Sequence, residues 1–233
     1  MINQEKKKSL DAIYQRIQAA KKVAGRTDEV RLLAVSKHFT VRAIADFYEL
    51  GQKAFGENYI QEWRGKKKAL ADKAIEWHLI GPVQKNKAKW VAESAAWLHS
   101  LDSISLAKKL AALRPDDLRP LQICIQINIS AEKQKNGLLL SQKSELEDLI
   151  AFLQQDFHLQ FRGVMCLPVA ADKKEITDQM QVTQNLYLSL KKSIPEIDTL
   201  SMGMSSDLEE AIYYGSTLAV SYTHLTLPTS DLV

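Results

Sequence analysis

Cysteine is scarce in this chain: Cys124 and Cys166 are the two among 233 residues. Neither has a Cys or His neighbour at metal-ligand spacing, and two thiols make no disulfide framework. Both lie in apolar runs, where Cys behaves as a small hydrophobe. Long apolar runs are missing too. None approaches the roughly 20 residues of a membrane span, and no apolar stretch follows the polar N-terminus with Lys6-Lys7-Lys8, as a secretory signal requires. Neither sign of charge dominates. A net charge of +3 is too mild to argue for nucleic acid. The clusters Lys66-Lys67-Lys68 and Lys85, Lys87, Lys89 read as solvated faces, because no aromatic residues interleave as stacking platforms. No Ser-His-Asp or Cys-His order is legible, and no acidic pair beside His78 or His99 sets up a metal site. These absences point to a cytoplasmic globular protein with no metal, no membrane contact and no nucleic-acid partner.

What is present is an alternation. The run Leu32-Leu33-Ala34-Val35-Ser36-Lys37 is apolar and ends in a lysine, as a strand buried on both faces does. Before it, Leu10, Ile13, Ile17 and Ala20 form one stripe of a helix over 4–24, closed by Gly25. After it, Thr40 caps a helix over 41–50. Further strands are expected at 54–58, 76–81, 97–101, 121–129, 159–167, 199–204 and 216–220. Between them fall helices from Tyr59, from an Asn86 cap, over 103–113, from a Ser141 cap to about 154, over 174–192, and from Ser206 or Asp207 to Gly215. Eight strands alternating with helices and no linker predict a single (β/α)8 TIM-type barrel with an extra N-terminal helix. The runner-up is an open doubly wound sheet. A dinucleotide-binding version is disfavoured, since no Gly-rich fingerprint follows the first strand.

In such barrels chemistry gathers at the carboxyl ends of the strands. The residues there are Lys37, then Glu57 and Asn58, His78 and Gly81, Asn128 and Ser130, Met165, and finally Ser201, Gly203, Met204, Ser205 and Ser206. One lysine among amides, hydroxyls and glycines is the inventory for a carbonyl compound carrying a phosphate. A lysine forms a Schiff base only through its neutral amine, so a site using one partly desolvates it. The turn Ser201-Met202-Gly203-Met204-Ser205-Ser206, opening a helix, offers backbone N–H groups to a phosphate. His78 and His99 read more simply as core or rim histidines. For Glu57, a general base and a residue that holds neighbouring loops are equally open.

At these residues the chain resembles a known family. Ala34-Val35-Ser36-Lys37, Phe55-Gly56-Glu57-Asn58-Tyr59-Ile60-Gln61-Glu62, the segment Trp77 to Lys87, Gln126 to Ser130, Gly163-Val164-Met165 and Leu200 to Ser205 resemble the pyridoxal phosphate homeostasis proteins. That YggS/PROSC-type group is related to the barrel domain of alanine racemase. The resemblance covers residues 1 to about 218. It implies one barrel that binds pyridoxal 5′-phosphate (PLP), with Lys37 as the Schiff-base lysine, Asn58 near the ring, and Ser201, Met204 and Ser205 in the turn around the phosphate. It also implies a non-catalytic, monomeric carrier or buffer in vitamin B6 homeostasis that hands cofactor to apo-enzymes. A racemase-like enzyme acting on amino acids is the alternative. One segment departs from the pattern. Where the family has a Val-Arg-Ile-Gly-Thr-type strand end and a final helix, this chain has Val220 for the arginine and Tyr222 for the glycine. Residues 1–218 are therefore expected to form the barrel. Residues 219–233, with Pro228 and no helical stripe, are expected to be a non-native tail that leaves the last helix missing or replaced.

Overall fold

The computed structural model describes residues 4–132, 135–168 and 172–221. Eight parallel strands among them close into a barrel: β1 (Arg31–Val35), β2 (Ala54–Glu57), β3 (Glu76–Leu79), β4 (Trp97–Leu101), β5 (Leu121–Asn128), β7 (Leu159–Cys166), β8 (Thr199–Ser201) and β9 (Leu218–Ser221). The β4–β5 and β9–β1 pairings complete the ring. A two-residue strand, β6 (Leu138–Leu139), pairs with β5 alone and stands outside the ring. Two residues show no periodicity, so the sequence does not announce it.

Helices α2 (Val41–Glu49), α3 (Ile60–Ala69), α4 (Ala88–Ser94), α5 (Ile104–Leu113), α6 (Lys143–Gln155), α7 (Lys173–Ser193) and α8 (Leu208–Tyr213) follow the strands, and α1 (Gln4–Val23) precedes them. Thr40 caps α2 as expected, its side chain accepting from Ala43 N–H. Asn86 does not cap α4. It lies within a single 3-10 turn, Lys85–Lys87, that runs into the helix. Likewise α6 begins after Gln142 rather than Ser141.

The stripe at Leu10, Ile13, Ile17 and Ala20 is buried. α1 packs against α8 and α2, the helices on either side of the β9–β1 junction. It therefore covers the outer faces of those two strands, where Leu32, Ala34 and Ala219 are buried. Inside the ring Leu33, Val35, Ala54, Leu218 and Val220 pack together, as barrel interiors are filled by layers of inward side chains. The expected boundary at 218 falls at the start of β9, and Ala219, Val220 and Ser221 belong to that strand. Residues 222–233 lie outside the described residues. No helix among the described residues is long and apolar enough to cross a membrane.

Candidate functional site

Parallel strands place all their carboxyl ends on one rim. The ring order β2-β1-β9-β8 sets four ends side by side, and the expected site residues fall on that arc. Lys37 follows β1 and is half-buried. Asn58 follows β2, with its Oδ1 buried and without a hydrogen-bond partner. Ser201 ends β8 and is buried. Ser205 Oγ lies 3.3 Å from Ser221 Oγ, joining the β8–α8 turn to the end of β9. Gly81 packs against the Asn58 backbone so closely that a Cβ would stand 2.1 Å from Asn58 O. Glycine is therefore required for the chain after β3 to pass there. A pocket of about 340 Å³ opens beside Asn58, lined also by Tyr59, Gln61, Gln84 and Lys87.

The β8–α8 turn differs from the expectation. Gly203 has φ +87, and a Cβ on it would strike the Ala211 side chain at 2.3 Å, so helix α8 packs directly on the turn. The Met204 N–H is not open to a phosphate, because it donates to Asp207 Oδ1 at 2.5 Å. Burial pushes the Asp207 carboxyl above its usual range, against that hydrogen bond. Asn128 does not reach the arc either: its Nδ2 donates to Glu132 O and Lys135 O and shapes the loop after β5. Met165 is buried inside the barrel with Trp97 and Cys124.

Two expectations need correction. Lys66 is not on a solvated face. It is 5% exposed, and its Nζ donates to Glu57 Oε1 at 2.7 Å, Glu62 Oε1 at 2.6 Å and Ser36 O at 2.5 Å. The helical period turns this one lysine of the run inward. The i, i+4 spacing of Glu62 and Lys66 was the sequence signal for it. Glu57 is fully buried, and burial raises its pKa against the opposing pull of Lys66 and Ser36. Here Glu57 holds neighbouring loops together.

His78 is the other correction. It does not face the rim. Its Nε2–H donates to Glu76 Oε1 at 2.6 Å, so its Nδ1 accepts from His99 Nε2–H at 2.8 Å. That leaves His99 Nδ1 buried with no partner. The chain starts at a cavity of about 280 Å³ lined by Arg31, Trp97, Arg162, Thr199 and Thr217. Those residues lie at or near the amino ends of their strands, at the end of the barrel opposite Lys37. Glu76 stays ionised. Burial works against this, but hydrogen bonds from His78 and Arg31 and the charge of Arg31 hold its carboxyl below the usual range. Burial lowers both imidazoles, and His99 falls further because His78 adjoins it. Both are neutral in the fold and titrate higher when unfolded, so the unfolded chain binds more protons as pH drops below about 6.5. The melting temperature should therefore fall between pH 7.5 and 5.5, and His99→Gln should flatten that slope. A slope unchanged by the substitution would remove His99 as its source.

The alanine racemase N-terminal domain family matches residues 9–219. The chain is 43% identical over 216 residues to the pyridoxal phosphate homeostasis protein of Vibrio alginolyticus, covering 90% of this chain and 91% of that one. It is 42% identical over 217 residues to the protein of the same name from Escherichia coli strain K12, with the same coverage. Among solved structures, PipY of Synechococcus elongatus PCC7942 without PLP superposes with a TM-score of 0.83 at 30% identity, over 94% of this chain and 98% of that one. The PLP-bound form of PipY gives 0.76, over 90% and 99%. Alanine racemase of Corynebacterium glutamicum shares the fold at 16% identity, over 96% of this chain and 63% of its own length, with a TM-score of 0.63. With the barrel closed and these similarities spanning nine-tenths of the chain, the protein belongs to the pyridoxal phosphate homeostasis family, built on the alanine racemase N-terminal domain.

Proposed function

We propose that the chain binds pyridoxal 5′-phosphate at the rim arc, covalently through Lys37, and serves as a non-catalytic carrier that passes the cofactor to apo-enzymes in the cytoplasm. The observation that carries this reading is the placement of Lys37 and the unpartnered, buried Asn58 Oδ1 at the ends of two adjacent, paired strands. When bound, the cofactor supplies an electrophilic aldehyde carbon and an anionic phosphate. Lys37 offers the amine, Asn58 Oδ1 accepts a hydrogen bond, and Ser201, Met204 and Ser205 form the wall on the phosphate side. Met204 contributes there by shape, its N–H being taken. The relatives' names and the PLP-bound PipY structure support the reading. They do not favour a racemase, and the chain acts as a monomer in this scheme. Adding PLP should produce a violet absorbance band, with borohydride fixing the cofactor to the peptide containing Lys37. Racemisation of alanine or serine should stay at the rate of free cofactor. Labelling at another lysine would overturn the assignment, and turnover well above free cofactor would favour the enzyme.

The departure at residue 220 has its own expected result. Val220 is 5% exposed among Leu33, Val35, Ala54 and Leu218, so the interior at that point is apolar where the resemblance implies an arginine. We propose that residues 219–233 are not the family's native continuation. Exchanging residues 219–233 for a family-type segment should tighten PLP binding and raise the melting temperature. Equal values for the two proteins would show that the present segment does the same work.

A further inference from the structure

The two peptide planes that flank Lys37 are held one each by Lys66 and Glu62, and Glu57 is tied to both the lysine and Ser36. The carbonyl of the Ser36–Lys37 peptide accepts from Lys66 Nζ at 2.5 Å. The N–H of the Lys37–His38 peptide donates to Glu62 Oε1 at 2.6 Å. Lys66 Nζ bonds that same Glu62 oxygen and also Glu57 Oε1, which in turn accepts from Ser36 Oγ at 2.6 Å. The dihedrals of Lys37 are the angle between those two planes, so the triad sets the direction in which its side chain leaves the strand. His38 adds a reason for the hold. It has φ +66, a conformation costly for a residue with a Cβ, which persists only where its surroundings impose it. The carboxylates alone could not do this. Glu57 is fully buried with its Oε2 unpartnered, and without the ammonium between them Glu57 and Glu62 would repel.

We propose that Lys66 is a positioning residue for Lys37, acting through Glu57, Glu62 and the two peptide groups they fix. This rests on the reading of Lys37 as the cofactor's attachment point, but it concerns the free protein first. Lys66 does not touch the cofactor in this scheme. It keeps the turn after β1 in the one conformation that presents the amine to the mouth, and it offsets the charge of the buried Glu57.

Lys66→Met alone leaves a buried carboxylate uncompensated and risks unfolding, so the informative protein is the double variant Lys66→Met/Glu57→Gln, compared with wild type and Lys66→Arg. Two readouts are needed. In the free proteins, hydrogen exchange at the His38 amide should quicken at least tenfold in the double variant, while the amides of β1 keep their protection. With PLP and borohydride, the rate of trapping at Lys37 should fall about tenfold or more, as expected when a reacting group is misplaced by an ångström. Labelling should also spread to other lysines. Lys66→Arg, which keeps a charge but not the compact three-donor head, should fall between. A folded double variant with wild-type exchange at His38 and wild-type trapping would overturn the proposal. If wild type itself traps no PLP, the attachment reading fails, and exchange at His38 still decides whether Lys66 holds the turn.

Discussion

Lys37→Ala is expected to remove the violet band entirely and to weaken PLP binding on the order of a hundredfold or more, about 2.7 kcal/mol. The remaining groups of the arc can hold the phosphate and ring, but none supplies a nucleophile to the aldehyde. Lys37→Arg should fail almost as badly, because a guanidinium stays charged and cannot form the linkage. The melting temperature of the cofactor-free protein should hardly change in either variant, since Lys37 follows β1 and lies outside the packed interior. Equilibrium titration and thermal unfolding on the same samples separate the two effects. Retention of the band in Lys37→Ala would move the attachment to another lysine.

Gly163→Ala is expected to give the largest loss of stability. Gly163 has φ +146, and a Cβ there would stand 1.8 Å from Thr199 O. It sits on β7 at a shift of register, where Ile123 faces Phe161 but Cys124 faces Gly163. One extra residue on β7 is thus absorbed at Arg162, as in a β-bulge. Thr199 is the first residue of β8 and pairs with Gly163. An alanine must push the two strands apart or abandon the bulge. Backbone strain and a broken ladder together amount to about 3–5 kcal/mol. For a chain of this size that lowers the melting temperature by roughly ten degrees. An unchanged melting temperature would mean that β7 and β8 can separate freely there.

The barrel was legible because its strands are short apolar runs separated by amphipathic helices, and α1 was legible because its four apolar positions keep helical spacing. Lys37 and Asn58 were legible as strand-end residues, since the fold collects such ends on one rim. What could not be read was direction within a run. Lys66-Lys67-Lys68 looks uniform as text, and only the pitch of α3 distinguishes the lysine that enters the core from those beside it. His78 and His99 were read as core or rim histidines, and both lie in the core. That they bond to each other across β3 and β4 depends on the register of two strands 20 or so residues apart, which no local pattern encodes. The closed turn at Met204 escaped for a similar reason. Whether a backbone N–H is open depends on one carboxylate three residues on, Asp207, folding back rather than pointing out.

The pairing of β1 with β9 bears on how the protein is made. Arg31 lies beside Leu218, and Ala34 beside Ser221, so one edge of β1 has no neighbour until residues 218–221 have left the ribosome. At about 5–20 residues per second the interval is roughly 10–40 s. During that time an apolar strand, Arg31–Val35, exposes unpaired backbone groups of the kind that recruit other chains. The links that seal the seam also come late. Arg26 donates to Ile212 O and Ser216 O, and Arg16 to Glu209 and Ser205 O. Each has one partner near the start of the chain and one beyond residue 200. Nascent chains stalled before β9 should therefore be the species that aggregates or engages chaperones, and release of the last strand is the step that makes the barrel safe.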